Sequence, residues 1–325
     1  MPLNPSGAIS LAGPVAGQSI AVELGQSATA TISLNDTNVR TLAQVPSGVI
    51  VMPTDFWGKS NVTGTQRAIF GFGNALIGPA AARVSITNLV SNTGVVASDT
   101  PGAPGVSARE RLSAAGYGGD KAIFGFGQTG PAAYVNTINL VSNTGVVASD
   151  TPSVGTVKTD LAAAGYGGDK AIFGFGFGPL TPPLNRLNET NLVSNTGVVA
   201  SDTPGVGTRR LALAAAGYGG DKAIFGFGQS VSGPTSIRVS ITNLVSNTGV
   251  VASDTPGAPG VSARQDLAAA KYGGDKAIFG FGNAVLPIQR VSITNLVSNT
   301  GVVASDTPGV GTARLGLAAA GYSLT

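Results

Sequence analysis

The sequence predicts an all-β protein: a closed five-bladed β-propeller with four antiparallel strands per blade, preceded by a small N-terminal α+β module. Three observations carry this. One unit of about fifty residues recurs five times without a gap. Each unit holds four strand-like runs, and the array opens in mid-unit while the chain ends on the run that the first unit lacks.

The string Ala-Ile-Phe-Gly-Phe-Gly begins at Ala68, Ala122, Ala171, Ala223 and Ala277, at spacings of 54, 49, 52 and 54 residues. Each copy leads to Asn-Leu-Val-Ser-Asn-Thr-Gly-Val-Val-Ala-Ser-Asp (Asn88 to Asp99 in the first), a Pro/Gly loop and a run such as Leu161 to Gly167. Two short punctuations, Gly118 to Lys121 and Ser91 to Gly94 with their copies, supply residues that tolerate positive φ in tight hairpins. Strict alternation through Ala68 to Phe72 puts both Phe side chains on one face and Ile69 on the other, so both faces need cover. Ten of the twelve Phe lie in these five strands, and each is read as core, worth about 2 to 3 kcal/mol of burial before entropy is counted. A phosphate loop is not indicated, because a strand follows Gly-Phe-Gly and no Lys-Ser/Thr pair appears.

The expected domains are 1–60, a linker over 61–66, and the propeller over 67–325. Its units start near 67, 121, 170, 222 and 276, and 313–322 closes the first blade. With the four strands of a unit named A to D, Leu317 to Tyr322 would supply the A strand that the first blade lacks and remove exposed sheet edges. This arrangement resembles the kelch family. Arg210 before a small strand, Ala223 to Gly228 as the apolar strand and the run from Leu192 carry the likeness, although Phe splits the Gly pair and Val198 replaces the usual outer-strand Trp. The resemblance implies that the Leu-Ala-Ala-Ala-Gly-Tyr run lines the axis, where Lys271 replaces a Gly in one copy.

Composition narrows the chemistry. The 325 residues include no Cys and no His, which excludes disulfides, imidazole or thiolate metal sites and Ser-His-Asp triads; no cofactor or metal is expected. Charged residues make up 11% with a net charge of +3, too sparse for a nucleic-acid face. Every apolar run is interrupted before the ~20 residues of a membrane span. The first basic residue is Arg40, so no secretory leader is expected.

Variation among the copies is concentrated after Gly-Phe-Gly, in Asn74 to Arg83, Gln128 to Thr137, Phe177 to Glu189, Gln229 to Arg238 and Asn283 to Arg290. The D-to-A loops, such as Pro101 to Arg109 and Pro152 to Lys158, also vary and emerge on the same face, opposite the two constant hairpins. Loops on a rigid scaffold are where binding resides, so the candidate ligand residues are Arg83, Tyr134, Phe177, Arg186, Arg238 and Arg290, suited to an acidic glycan. Loop drift with solubilising Arg explains the same pattern equally well. Arg109, Lys158, Arg210, Arg264 and Arg314 add charge to this face but are read as structural, bonding loop carbonyls. The inner runs carry no Asp or Glu, and Asp99, Asp150, Asp202, Asp254 and Asp306 read as turn residues, so no catalytic residue is assigned.

The N-terminal segment has another texture. Ala21 to Ser33 suggests one or two strands, Asp36 a cap for a short helix bearing Val39, Leu42 and Ala43, and Val49 to Met52 a further strand. Ser33 to Asp36, Val39-Arg40, Leu42-Ala43, Val45 to Gly48 and Phe56 with Gly58-Lys59 resemble a short module near the N-termini of virion and tail-appendage proteins of tailed phages. That resemblance implies a virion anchor involving Asp36, Val39, Arg40, Leu42, Pro46, Phe56 and Trp57. The expectation is a non-enzymatic virion protein, such as a tail fibre with receptor-binding loops. Its partners would be other virion proteins, host-surface polysaccharide or copies of itself. A purely architectural virion protein and, less favoured, a polysaccharide-acting enzyme are the alternatives.

Overall fold

The repeat dictates the architecture: each Gly-Gly-Asp-Lys turn forces a short small-residue strand back against the Phe-rich strand that follows it. The computed structural model describes residues 3, 6, 8–15, 18–43, 47–56, 68–77, 80–91, 94–179, 186–284 and 289–321. The chain divides into two bodies, 1–68 with 89–97, and 69–88 with 98–325.

In the larger body the inner strands are Ser113–Tyr117, Ala162–Tyr166, Ala214–Tyr218 and Ala268–Tyr272. Each pairs antiparallel with its second strand, Lys121–Gly125, Lys170–Phe177, Lys222–Gly226 or Lys276–Gly280. The third strands are Thr137–Val141, Arg186–Val193, Thr242–Val245 and Thr294–Val297. A fourth run adds through bridges such as Val141 to Val147 and Val193 to Val199. The result is all-β and propeller-like, with neighbouring inner strands in contact from one repeat to the next.

The two Phe of each second strand do not share a face. Phe72, Phe126, Phe175, Phe227 and Phe281 all take a left-handed φ of 63° to 66°, and in the third repeat the register slips between Gly174 and Gly176. This bulge turns the second Phe to the side of Ile123 and its copies. Phe124 therefore packs back on Phe72 at 5.1 Å between ring centroids, and Phe126 packs forward on Phe173 at 5.2 Å. Strict alternation missed this because a bulky residue at positive φ is uncommon, and here the closely packed rings on both sides enforce it.

Each first Phe also fills a notch that only glycine leaves open. A Cβ at Gly71 would stand 3.1 Å from Phe124 Cζ, at Gly125 2.8 Å from Phe173, at Gly174 3.0 Å from Phe225 and at Gly226 2.8 Å from Phe279. A cation from each following repeat lies over the second Phe: Arg109 on Phe72, Lys158 on Phe126, Arg210 on Phe175 and Arg264 on Phe227, at 4.5 to 5.1 Å. These four cations are fully buried.

The expected closure by the C-terminal run is not present. Among the described residues, 317–321 form no strand, Ala318, Ala319 and Ala320 are exposed, and Ala68–Gly71 pairs only with Thr87–Val90. The physical difference is local: each of the other inner strands runs straight into a two-glycine turn that folds it onto its partner, whereas this run is followed by no such turn.

The smaller body holds a helix at Thr37–Ala43 whose Val39, Leu42 and Ala43 pack with Leu3, Ile9, Ile20 and Phe56. Asp36 immediately precedes it, and its carboxylate accepts the Ser33 N–H at 2.8 Å, a bond to the turn before the helix rather than to the helix itself. No extended strand occurs in 1–60 among the described residues. Ile20–Glu23 is a helical turn with Ser19 Oγ accepting the Val22 N–H at 3.3 Å, and Val49 and Val51 are exposed. The weak alternation of Ala and Thr in 21–33 could not compete with seating Ile20 and Ala21 in the core. Pro46, Trp57 and the 61–66 linker lie outside the described residues.

Gly125→Ala is expected to lower stability by about 1 to 3 kcal/mol in denaturant melts, because the Phe173 ring must move. Gly280→Ala should change it by less than about 0.5 kcal/mol, since its Cβ meets only Thr294 Cγ2 at 3.4 Å.

Candidate binding face

The two sets of variable connections meet. The bridges Glu110 to Gln128, Thr159 to Phe177 and Leu211 to Gln229 tie each loop that enters an inner strand to the hairpin after Gly-Phe-Gly. In the fifth repeat Arg264–Gln265 pairs with Asn283–Ala284. Hairpins then rise as Asn74–Ile77 with Ala80–Arg83, Gln128–Gly130 with Ala133–Tyr134, Gln229–Ser232 with Thr235–Arg238, and Asn283–Ala284 with Gln289–Arg290.

Most of the predicted ligand arginines are engaged within the protein. Arg83 pairs with Glu110 at 2.6 Å, and Glu110 also accepts from Asn74 and Gln128. Those hydrogen bonds, with Arg83 adding to them, hold the Glu110 carboxyl below its usual range. Arg186 is buried and donates to Gln229 Oε1 at 2.9 Å and Ser236 Oγ at 2.8 Å, while Gln229 passes the contact on to Gln265 at 2.9 Å. Arg238 donates to the Asn283 side chain at 3.2 Å. Arg290 is exposed. Tyr134 and Phe177, from adjacent repeats, meet edge to face at 5.7 Å. The six residues therefore lie along a rim rather than in one cluster; Arg83, Tyr134, Phe177 and Arg238 are half-buried, Arg186 is buried, and Arg290 alone of the six is exposed.

Of the second set of cations, all but the exposed Arg314 are buried rather than surface charge. Arg109 and Arg264 donate to Asn139 and Asn295, Lys158 to Asn191 at 2.8 Å and Arg210 to Asn243 at 2.6 Å. Asp150, Asp202, Asp254 and Asp306 stand 3.5 to 4.0 Å from them. Burial pushes Arg210 and Arg264 down to about 10 against the pull of Asp254 and Asp306, so both stay charged at neutral pH. The aspartates are more than turn residues. Burial pushes the Asp254 carboxyl up, but Thr208 and Asn243 donate to it, and with Arg210 they hold it low overall.

One group escaped the sequence reading. Arg111, Asp160, Ala212, Asp266 and Gly316 sit one residue before the Leu that opens each inner run, with φ of 52° to 65°. Their backbones form an unbroken chain, each N–H donating to the preceding carbonyl at 3.0 to 3.1 Å. Asp160 pairs with Arg111 at 3.2 Å. Burial raises its carboxyl, with Asp266 and Glu110 adding to the effect and Arg111 opposing it. The cue available in the sequence was that this position varies among the copies, as Arg, Asp, Ala, Asp and Gly, beside a strand that hardly varies.

No family model matches the chain, and no curated protein matches it. Among solved structures it is similar to "Structure of YjhT", a propeller-like protein, with a TM-score of 0.55 and 12% identity over 71% of this chain and 78% of that one. The fold is propeller-like. At this identity the likeness carries the fold alone. No helix of the described residues is long and apolar enough to cross a membrane.

Arg210→Ala should destabilise by about 3 kcal/mol or more, leaving Asp254 and Asn243 without their cation. Arg210→Lys should lose only about 1 kcal/mol, because Lys158 fills the same position in another copy. A carboxyl raised on folding makes stability fall as pH climbs from the unfolded pKa through the folded one. Asp160→Asn is therefore expected to raise the melting temperature at pH 7 by about 2 to 4 °C. That gain should fade below about pH 4 and be absent if Asp160 is not raised.

Proposed function

We propose that this chain is a non-enzymatic structural protein of a phage particle, its N-terminal 1–60 serving as the anchor and its five repeats as blades that present a glycan-binding rim. The observation that carries the binding half is the Tyr134 and Phe177 pair, two half-buried rings from adjacent repeats held at 5.7 Å on the rim. Aromatic faces accept the C–H surface of a sugar, and the exposed Arg290 on the same rim favours an acidic one. Polar links such as Arg83 to Glu110 and Arg186 to Gln229 keep the hairpins in place, which limits the ordering entropy that binding must overcome. The anchor half rests on the resemblance of the pieces between Ser33 and Lys59 to a phage virion module, together with the packed core around Val39, Leu42 and Phe56.

A purely architectural role is favoured by one different feature. The constant turns are linked across repeats by Gly118 N–H to Asp169 O, Gly167 to Asp221 and Gly219 to Asp275, each at 2.6 Å, and carry Asp-Lys pairs of similar exposure suited to a repeating neighbour.

Binding to host cells or to a panel of envelope polysaccharides separates the two. Tyr134→Ala with Phe177→Ala is expected to weaken binding by about tenfold or more with little change in melting temperature. Undiminished binding would remove the rim from the account, and oligosaccharide released from the polysaccharide by the purified protein would replace it with an enzyme.

A further inference from the structure

The interface between successive repeats is built four times from the same parts, and at the two ends of the array the same parts stand unjoined. Phe124, Phe173, Phe225 and Phe279 are 0 to 5% exposed, whereas Phe70, their counterpart in the first repeat, is 54% exposed. Gly71, Gly125, Gly174 and Gly226 each receive one of those buried rings, whereas Gly280 faces no ring. Arg314 lies over Phe281 at 4.1 Å as the other cations lie over theirs, yet it is exposed. The tail already follows the path of an inner strand beside the last repeat. Gly316 N–H donates to Asp266 O at 3.0 Å and Gly282 N–H to Arg314 O at 2.9 Å, matching Ala212 to Asp160 and Gly228 to Arg264.

We propose that a second copy of this chain completes this seam. Its Phe70 seats over Gly280, and its Ala68–Gly71 strand adds to Leu317 to Gly321 of the first copy. Its Asn88 and Asp99, joined at 2.8 Å like Asn243 and Asp254 at 2.9 Å, then face Arg314. The occupant has to be this chain because the seam asks for a second strand of the repeat that has no inner neighbour, and among the described residues the first repeat is where that occurs. The contact continues an interface already formed four times within the chain. The chain's own first repeat belongs to the same body and is not seated there. The joint is heterologous, so copies add head to tail and end in a ring only if the rotation closes. It does not depend on the rim binding a glycan.

The chain has no cysteine, which makes the joint directly testable. The register Ala164 to Ile172, Ala216 to Ile224 and Ala270 to Ile278 places Ala320 opposite Ile69 across the seam. Full-length Ile69→Cys and Ala320→Cys proteins, mixed and oxidised, are expected to give a mixed disulfide dimer about tenfold above either protein alone. Adding Phe70→Asp to the first should abolish that dimer without moving the melting temperature. An internal disulfide in the monomeric Ile69→Cys/Ala320→Cys double variant, with no mixed dimer, would overturn the proposal in favour of self-closure. No cross-link, with sedimentation independent of concentration, would overturn it outright.

Discussion

The structure depends on a cation shared between repeats. Arg109, Lys158, Arg210 and Arg264 each leave one repeat's entering loop, cross onto the Phe of the repeat before, and are held by an Asn and an Asp of their own. Taking a charge out of water is expensive, and Arg210 registers this as a pKa pushed down to about 10. The loss is offset by the ring face, a short bond to the Asn oxygen and a carboxylate that keeps some solvent. Such an arrangement contributes more to specifying one geometry than to net stability, because removing any partner leaves the others buried and unpaired.

That constraint explains where variation is tolerated. The aspartate that faces the cation also accepts the N–H of its entering loop: Thr156 for Asp202, Thr208 for Asp254 and Ser262 for Asp306. The loop is thereby fixed at its end, and its bridge to the following hairpin fixes that hairpin's base. Residues at the hairpin tips, such as Ala132 or Gly233 to Thr235, bear none of this load and are free to differ between copies. The constant turns have no such freedom, since their glycine N–H groups bond the next repeat's aspartate carbonyls.

Repetition made the strands, their order and the constant hairpins legible in the sequence, and it identified the cations before the inner runs as structural. What it concealed was anything that differs between ends and middle. The tail has the same residues as Leu161 to Gly165, yet it lacks the turn that tethers that strand, so identical sequence gives a different structure. The split faces of Phe124 and Phe126 were hidden because alternation assumes an unbroken strand, and Phe126 sits at a φ of 66°. Arg83 and Arg186 looked like free ligands because their partners, Glu110 and Gln229, lie 27 and 43 residues away. The Asp160 position was passed over for the opposite reason, as its importance lies in backbone geometry that no side-chain pattern announces.

If shared cations and ring-filled glycine notches hold the array together, stability must depend on how many neighbours a repeat has. Native-state hydrogen exchange read residue by residue tests this most directly. The account predicts that amides of the third and fourth repeats, such as Ile172 and Ile224, share the slowest exchange, while Ile69 and Thr87 of the first exchange at least about a hundredfold faster in dilute protein. Equal protection across all five repeats in dilute protein would contradict it.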